Sequence, residues 1–140
     1  MAMGQVVIAI DPGKDKCGIA VVHKEEGVLF KQVISTRELN SMVEQLVVNY
    51  KSIHVLIGDR TTSQETKKKL EQLIFTGKTI EVILVDEHRS TDQARERYWR
   101  EHPPRGIMKL IPTTMQVPPR PVDDYVAVIL AERYFALLGK

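Results

Sequence analysis

Acidic residues follow three separate apolar runs of this 140-residue chain. The three cases are Asp11 after residues 6–10, Asp59 after residues 53–58, and Asp86-Glu87 after residues 80–85. A carboxylate at the rim of a hydrophobic core needs a partner or a metal ion, because burial disfavours its charged form. Carboxylate oxygens are the ligands that Mg²⁺ and Mn²⁺ prefer. We therefore expect one of these ions at the acids if the three strand ends lie together.

Two further acids, Asp123 and Asp124, open the last predicted helix. At about 100° per residue, they flank the helical stripe that contains Ala127, Ala131 and Leu138. Both carboxylates therefore lean toward the sheet beneath the helix. The dipole of a helix N-terminus favours acids on its own, which accounts well for one aspartate and less well for two. The spacing does not show which of the two would bind a metal.

Hydrophobic periodicity predicts the elements that position these acids. Five strands are expected, over residues 6–11, 17–23, 28–34, 53–57 and 80–85. Four helices are expected. The apolar face of the first starts at Leu39, and the second runs over 64–76, between a cap at Thr62 or Ser63 and a stop at Gly77. The third is capped by Ser90 or Thr91 and runs to about Glu101, and the fourth covers 122–138.

The order of these elements indicates the fold. Short turns join the first three strands into an antiparallel meander, and right-handed crossovers make the first, fourth and fifth strands parallel. This is the element order of the ribonuclease H-like fold, an α/β fold with a five-stranded mixed sheet flanked by helices. We expect a single domain over residues 1–140, with its site at the carboxyl ends of the parallel strands.

Composition narrows the class of protein. No apolar run approaches the roughly 20 residues that a membrane-spanning helix needs, and the start of the chain lacks the pattern of a signal peptide. We therefore expect no membrane partner and a cytoplasmic location. The single cysteine, Cys17, begins a predicted buried strand, so a core position is favoured over a nucleophilic role. One cysteine also agrees with a reducing compartment.

Positive charge is concentrated between residues 88 and 120. This stretch has seven Lys/Arg and three Asp/Glu, a net charge of +4, although the whole chain has only +2. A basic surface beside an acidic edge suits a phosphodiester substrate, because cations neutralise backbone phosphates. We expect nucleic acid to be bound by Lys14, Lys16, Arg89, Arg95, Arg97, Arg100, Arg105 and Arg120. For any single arginine, a solvated helix face is the competing interpretation.

Three segments resemble one known family, in its order and along nearly the whole chain. Ile10-Asp11-Pro12-Gly13 with Gly18 resembles the first-strand motif of RuvC-like Holliday-junction resolvases. Asp86-Glu87-His88-Arg89-Ser90-Thr91 with Ala94-Arg95, and Val122-Asp123-Asp124 with the apolar run from Ala127, resemble the YqgF-type branch. The resemblance implies a ribonuclease H-like fold. It also implies a metal-dependent nuclease that resolves junctions or matures the 5′ end of 16S ribosomal RNA.

The resemblance places the family's acids on Asp11, Glu87 and Asp123. Asp124 competes with Asp123 for the last of these three positions. Asp11, Glu87 and Asp123 or Asp124 are therefore the expected catalytic residues and ligands of Mg²⁺ or Mn²⁺. Asp59 is either an additional ligand or a helix cap. Two metal ions about 4 Å apart can activate a water and stabilise a leaving oxygen. The chain departs from the family at His88, where the family has an arginine, and at residues 58–62, which replace a Gly-Leu-Pro-type loop.

Three functions stay open from the sequence. The first is a Mg²⁺- or Mn²⁺-dependent endonuclease acting on structured DNA or RNA, as a homodimer if it resolves junctions, because two strands must then be cut. The second is a nucleic-acid-binding protein of the same fold with weak or no catalysis. The third is an ATP-dependent phosphotransferase, which is disfavoured because one 140-residue domain has no second lobe to close over ATP.

Residues 102–121 are expected to form a surface loop beside the site. Six of the seven prolines of the chain lie here, and proline is excluded from helix interiors and central strands. The segment also has several apolar residues, among them Ile107, Leu110 and Val117, which is unusual for a solvated linker. We expect it either to order on the substrate or to pack permanently on the domain or in a dimer interface.

Overall fold

The computed structural model describes residues 5–59, 63–71, 74–75 and 78–139. Its strands are β1 (Val6–Asp11), β2 (Lys16–His23), β3 (Gly27–Ser35), β4 (His54–Gly58), β5 (Ile74–Phe75), β6 (Lys78–Thr79) and β7 (Glu81–Val85). Its α-helices are α1 (Leu39–Tyr50), α2 (Ser63–Glu71), α3 (Ser90–Glu101) and α4 (Asp123–Leu138).

A five-stranded mixed sheet organises these elements in the order β3-β2-β1-β4-β7. β1 pairs antiparallel with β2, and β2 with β3, whereas β1, β4 and β7 run parallel to one another. The predicted meander and parallel strands are therefore confirmed. Since β1, β4 and β7 point the same way, the residues that follow them lie at one edge of the sheet.

Each face of the sheet has its own apolar core. In β1, Ile8 and Ile10 pack on the side of α1 and α2, whereas Val7 and Ala9 pack on the side of α4. Every residue of β1 is buried, which is why its sequence is a continuous apolar run instead of an alternating one. Cys17 is buried in the first of these cores, as expected.

Helix α4 is covered on two sides. The sheet lies on one side, and α3 packs on the other through a cluster that includes Tyr98 and Tyr125. Residues 124–131 are all buried in consequence. The predicted stripe holds at Ala127 and Ala131, but Leu138 is 55% exposed because the last turn of the helix lacks this cover. No helix among the described residues is long and apolar enough to cross a membrane.

The region after β4 differs from the prediction. α2 ends at Glu71, and β5 and β6 then form a separate two-stranded antiparallel sheet, so the helix predicted over 64–76 was too long. Two-residue strands carry too little alternation to be recognised in a sequence. The proposed cap Thr62 and the proposed stop Gly77 lie outside the described residues.

The proline-rich loop lies at the surface, as predicted. It contains two short 3₁₀ helices, Gly106–Leu110 and Thr113–Met115, separated by irregular backbone. Ile107 and Leu110 are 81% and 85% exposed, and Met115 and Val117 are similarly open to solvent. The loop therefore does not bury its apolar side chains within this chain.

Candidate active site

Asp11 lies at the carboxyl end of β1, between two glycines on the neighbouring strands. Gly18 of β2 is its antiparallel partner, and Gly58 of β4 follows Ile57, the parallel partner of Ile10. Alternation along each strand puts Asp11 and both glycines on the face that packs against α4. Because neither glycine has a side chain, the space beside Asp11 is open to groups from α4 and from the end of β7.

Gly18 allows the first turn of α4 to approach the sheet. A Cβ at position 18 would overlap the carbonyl group of Asp123 and lie 2.7 Å from the backbone nitrogen of Asp124. Neighbouring strands are about 4.8 Å apart, so the start of α4 lies roughly one strand spacing from Asp11. The glycine of the first-strand motif thus has a structural reason, since it lets Asp123 come close to Asp11.

Gly58 makes the corresponding room for Glu87. A Cβ at position 58 would overlap Oε2 of Glu87 and lie 2.8 Å from its Cδ, so this carboxylate covers the end of β4. Asp11 is 5% exposed and Glu87 is 7% exposed, although both are acids. The structure therefore brings Asp11, Glu87 and the backbone of Asp123 to one corner of the sheet.

The turn that carries Glu87 is held from two directions. A carboxylate oxygen of Asp59 accepts a hydrogen bond from the backbone N–H of Glu87 at 3.3 Å. Arg133 of α4 donates to the carbonyl oxygens of Asp86 at 2.8 Å and of His88 at 2.6 Å, on either side of Glu87. Asp59 thus contacts the backbone of Glu87, and Arg133 holds the residues on either side of it, a contact that the sequence did not predict.

The chain reverses sharply between Glu87 and α3. Arg89 takes the N-cap position with a φ of 58°, and its side chain makes no capping hydrogen bond. Ser90 is instead the first helical residue, and its N–H donates to the carbonyl oxygen of Glu87 at 3.0 Å. The predicted cap at Ser90 or Thr91 was therefore wrong, although the helix bounds were right. Left-handed backbone at a residue other than glycine is uncommon and clusters at functional sites.

Asp124 is 3% exposed, and two cations contact its carboxylate. Nη1 of Arg120 lies 3.2 Å from Oδ1, and Nζ of Lys31 lies 3.5 Å from Oδ2. Burial opposes the charge of Arg120, but the hydrogen bond and charge of Asp124 raise the pKa of this guanidinium overall. Both cations also lie over the ring of Tyr125. Asp124 therefore ties the end of the loop and β3 to α4.

The donor chemistry of this corner fits a divalent cation. Carboxylate oxygens of Asp11 and Glu87 are buried next to the two glycines, and oxygen donors suit Mg²⁺ or Mn²⁺ better than zinc. Within the described ranges, no group of three or more His, Cys, Asp or Glu side chains is arranged to hold a metal ion. Asp11 and Glu87 are thus two candidate oxygen donors, and a complete ligand set is not assembled among the residues that the structure describes.

Most of the basic residues expected to bind nucleic acid are exposed. The exposed ones are Lys14, Lys16, Arg89, Arg95, Arg100 and Arg105, while Arg120 is half-buried against Asp124. Lys16 is the first residue of β2, two positions before Gly18, and it lines, together with Arg120, a depression of about 400 Å³. Arg89 has an acidic neighbour, Asp92, at 3.8 Å. The β1–β2 turn and the exposed face of α3 therefore surround the acidic corner with positive charge.

Arg97, one of the residues expected to bind nucleic acid, contacts two acids within the chain. Its Nη1 contacts both carboxylate oxygens of Glu132 at 2.7 and 2.6 Å, and its Nε lies 3.6 Å from Glu101. Burial opposes its charge, yet the hydrogen bonds and charges of these two acids raise the pKa of Arg97 overall. Arg97 joins α3 to α4 here, and the charge count along the chain could not reveal a partner on another helix.

Comparisons with known proteins identify the fold. No family model matches the chain, and no curated protein matches it. A solved structure described as "Thermus thermophilus RuvC structure" matches with a TM-score of 0.55 and 17% identity, over 96% of this chain and 97% of that one. "T. thermophilus RuvC in complex with Holliday junction substrate" matches with a TM-score of 0.55 and 15% identity, over 99% and 97%. The chain therefore has a RuvC-like, ribonuclease H-type fold, as the sequence predicted.

Proposed function

We propose that this protein is a divalent-metal-dependent endonuclease, a hydrolase of phosphodiester bonds in structured nucleic acid. One observation supports it above all: the acids Asp11 and Glu87 are both buried at one corner of the sheet, where Gly18 and Gly58 leave space beside the strands. Carboxylate oxygens are the ligands that Mg²⁺ and Mn²⁺ prefer, so we interpret this corner as a site.

In this proposal Asp11, Glu87 and Asp123 hold Mg²⁺ or Mn²⁺. The backbone of Asp123 lies over Gly18, next to the strand that carries Asp11, and this placement supports Asp123 as the third ligand. Asp124 is the weaker candidate, because ligation there would have to displace Arg120. A divalent cation in such a site supplies an activated water and stabilises the charge of the leaving oxygen.

Two residues act on the site through Glu87. Asp59 accepts the N–H of Glu87, and Arg133 holds the carbonyl groups before and after it. A ligand must stay within a fraction of an ångström of its working position, because a displacement of about 1 Å can cost roughly 100-fold in rate. We therefore assign positioning roles to both, with no contact to the metal required.

The proposed substrate is branched DNA or precursor ribosomal RNA. One of the similar structures is a RuvC bound to a Holliday junction, whereas the YqgF-like segments favour a nuclease that matures 16S ribosomal RNA. Exposed Lys14, Lys16 and Arg95 supply phosphate contacts near the acids. Junction resolution needs two active sites and hence a homodimer, so the mass in solution separates the two roles.

The test is cleavage of a four-way DNA junction and of a precursor 16S fragment, side by side, with Mg²⁺, Mn²⁺ or a chelator. We expect cleavage that requires the metal and is lost in Asp11→Asn and Glu87→Gln. Asp86→Asn is the matched control, because Asp86 is an exposed acid next to Glu87 whose carboxylate accepts the backbone N–H of His88.

Two results would decide against the proposal. Cleavage that survives in Asp11→Asn would place the chemistry elsewhere in the chain. Binding of both substrates without cleavage under every metal condition would favour the alternative function, a nucleic-acid-binding protein of this fold without catalysis.

A further inference from the structure

An open cleft lies next to Asp123. It lies between α3 and the last residues of the proline-rich loop and has a volume of about 370 Å³. Arg95 lines one wall, Val117 and Pro118 line the opposite wall, and Asp123 belongs to the same lining. Anything bound in this cleft therefore lies beside the residue that we propose as the third metal ligand.

A second depression also borders Arg95. It has a volume of about 270 Å³, and its lining includes Trp99 and Gln116. Arg95 lines both cavities, which therefore adjoin at its side chain, and together they are called the groove below.

The charge of Arg95 is available to a ligand in this groove. Arg120, which also lines the cleft, is bonded to Asp124, and Arg89 is paired with Asp92. Arg95 is exposed, and it makes no ion pair with any residue that the structure describes. The acids Asp92 and Glu96 line the second depression, whereas the cleft beside the loop has one acid, Asp123, and two arginines. A phosphate is therefore favoured in the cleft beside the loop.

The wall opposite Arg95 is apolar. Val117 is 78% exposed, whereas the next residue, Pro118, is buried. The buried proline fixes the backbone, and the exposed valine provides a hydrophobic surface. The loop is fixed at this end, because Arg120 donates to the carbonyl oxygen of Pro121 at 2.7 Å and bonds Asp124. The cleft therefore offers a cation for the phosphate of a nucleotide and an apolar surface for its base or sugar.

We propose that this groove binds an unpaired strand of the substrate, with Arg95 on the phosphate next to the scissile bond. The proposal rests on the nuclease function above and narrows its substrate to nucleic acid that is single-stranded or frayed at the cut site. A duplex keeps its bases stacked inside and is too wide for cavities of this size, whereas splayed nucleotides can enter narrow pockets.

Binding in the presence of a chelator tests the groove independently of catalysis. The ligands are a fluorescent single strand, a fork with unpaired arms, and a blunt duplex of the same sequence. The proteins are wild type, Arg95→Ala, Arg95→Lys, and Lys24→Ala as the control, which removes a positive charge at the opposite edge of the sheet. Because Arg95 and Lys24 are both exposed, neither change disturbs the core.

We expect the single strand and the fork to bind at least tenfold more tightly than the duplex. Arg95→Ala should weaken the binding of the fork by about tenfold, since a charge-assisted phosphate contact is lost. It should also reduce the slope of log affinity against log salt by about 0.7 for the single strand. Arg95→Lys should keep the slope, and Lys24→Ala should match wild type.

Equal affinity for duplex and single strand would overturn the inference, and so would an Arg95→Ala variant that behaves like the control. Neither result touches the nuclease proposal, which is tested by metal-dependent cleavage. Absence of binding to every nucleic acid would overturn both.

Discussion

A methyl group added at position 58 should reduce the rate of cleavage strongly and change the free energy of unfolding little. In Gly58→Ala the new Cβ would overlap Oε2 of Glu87 and lie 2.8 Å from Cδ. Ordinary contact begins near 3.4 Å, so the carboxylate carbon must move by roughly 0.6 Å, and the oxygen must move farther. A displacement approaching 1 Å at a reacting group costs about 100-fold in rate, and we expect a loss of cleavage of this size.

The cost in stability should be small, because the group that must move is the end of a flexible side chain. Replacement of glycine by alanine at a compatible backbone position stabilises by about 0.4–1 kcal/mol through the unfolded state, which offsets the local rearrangement. We therefore expect the free energy of unfolding of Gly58→Ala to stay within about 1 kcal/mol of wild type. Denaturant unfolding and single-turnover cleavage, measured on the same preparation, provide the two quantities.

Gly18→Ala is the matched control for this change. There the new Cβ would overlap the carbonyl group of Asp123, which is backbone, so the start of α4 has to shift. Overpacking of this kind costs about 1–3 kcal/mol, and we expect that loss together with reduced cleavage. Wild-type cleavage by Gly58→Ala would refute the reasoning, because the position of Glu87 would then be irrelevant. A loss above about 3 kcal/mol would refute it as well, since Glu87 would then be a fixed part of the core.

Three further substitutions test individual contacts. Arg133→Ala should slow cleavage while the protein stays folded at the assay temperature, because the hydrogen bonds to the two carbonyl groups around Glu87 are lost. Arg133→Lys should not restore the rate, since one ammonium group cannot replace the two guanidinium nitrogens that donate these bonds. Arg97→Ala should lower the free energy of unfolding by up to about 1 kcal/mol and leave the salt dependence of nucleic-acid binding unchanged. Burial, and then the hydrogen bond to Glu101, raise the pKa of Tyr125 above 10.0, so the unfolded state ionises first as pH rises. Wild type should therefore lose stability above about pH 10 more steeply than Tyr125→Phe in denaturant titrations, and parallel curves would contradict the assignment.

The sheet and its acidic edge could be predicted because both depend on local patterns. A strand buried on both faces has a continuous apolar run, and an acid at its end marks the point where the chain leaves the core. Asp11 and Glu87 follow this rule. Gly18 belongs to the motif that the sequence showed, and the structure adds its reason, the close approach of the start of α4.

The contacts around these acids could not be predicted, because they join distant parts of the chain. Helical geometry places Asp123 and Asp124 on two sides of a stripe, but only the packed structure shows Arg120 and Lys31 on Asp124. The sequence does not distinguish Arg133 from a solvated arginine, because its partners, the carbonyl groups on either side of Glu87, lie more than 40 residues away. The two-residue strands β5 and β6 lack a recognisable period, which is why the preceding helix was predicted too long.

Binding of a divalent cation at the corner around Asp11 can be measured directly by thermal unfolding during a titration with Mn²⁺. A ligand at 100 times its dissociation constant stabilises the native state by about 2.7 kcal/mol if it binds only that state. We predict this gain for wild type and for Asp86→Asn, and little or none for Asp11→Asn. A gain in Asp11→Asn as large as in wild type would contradict the proposed metal site.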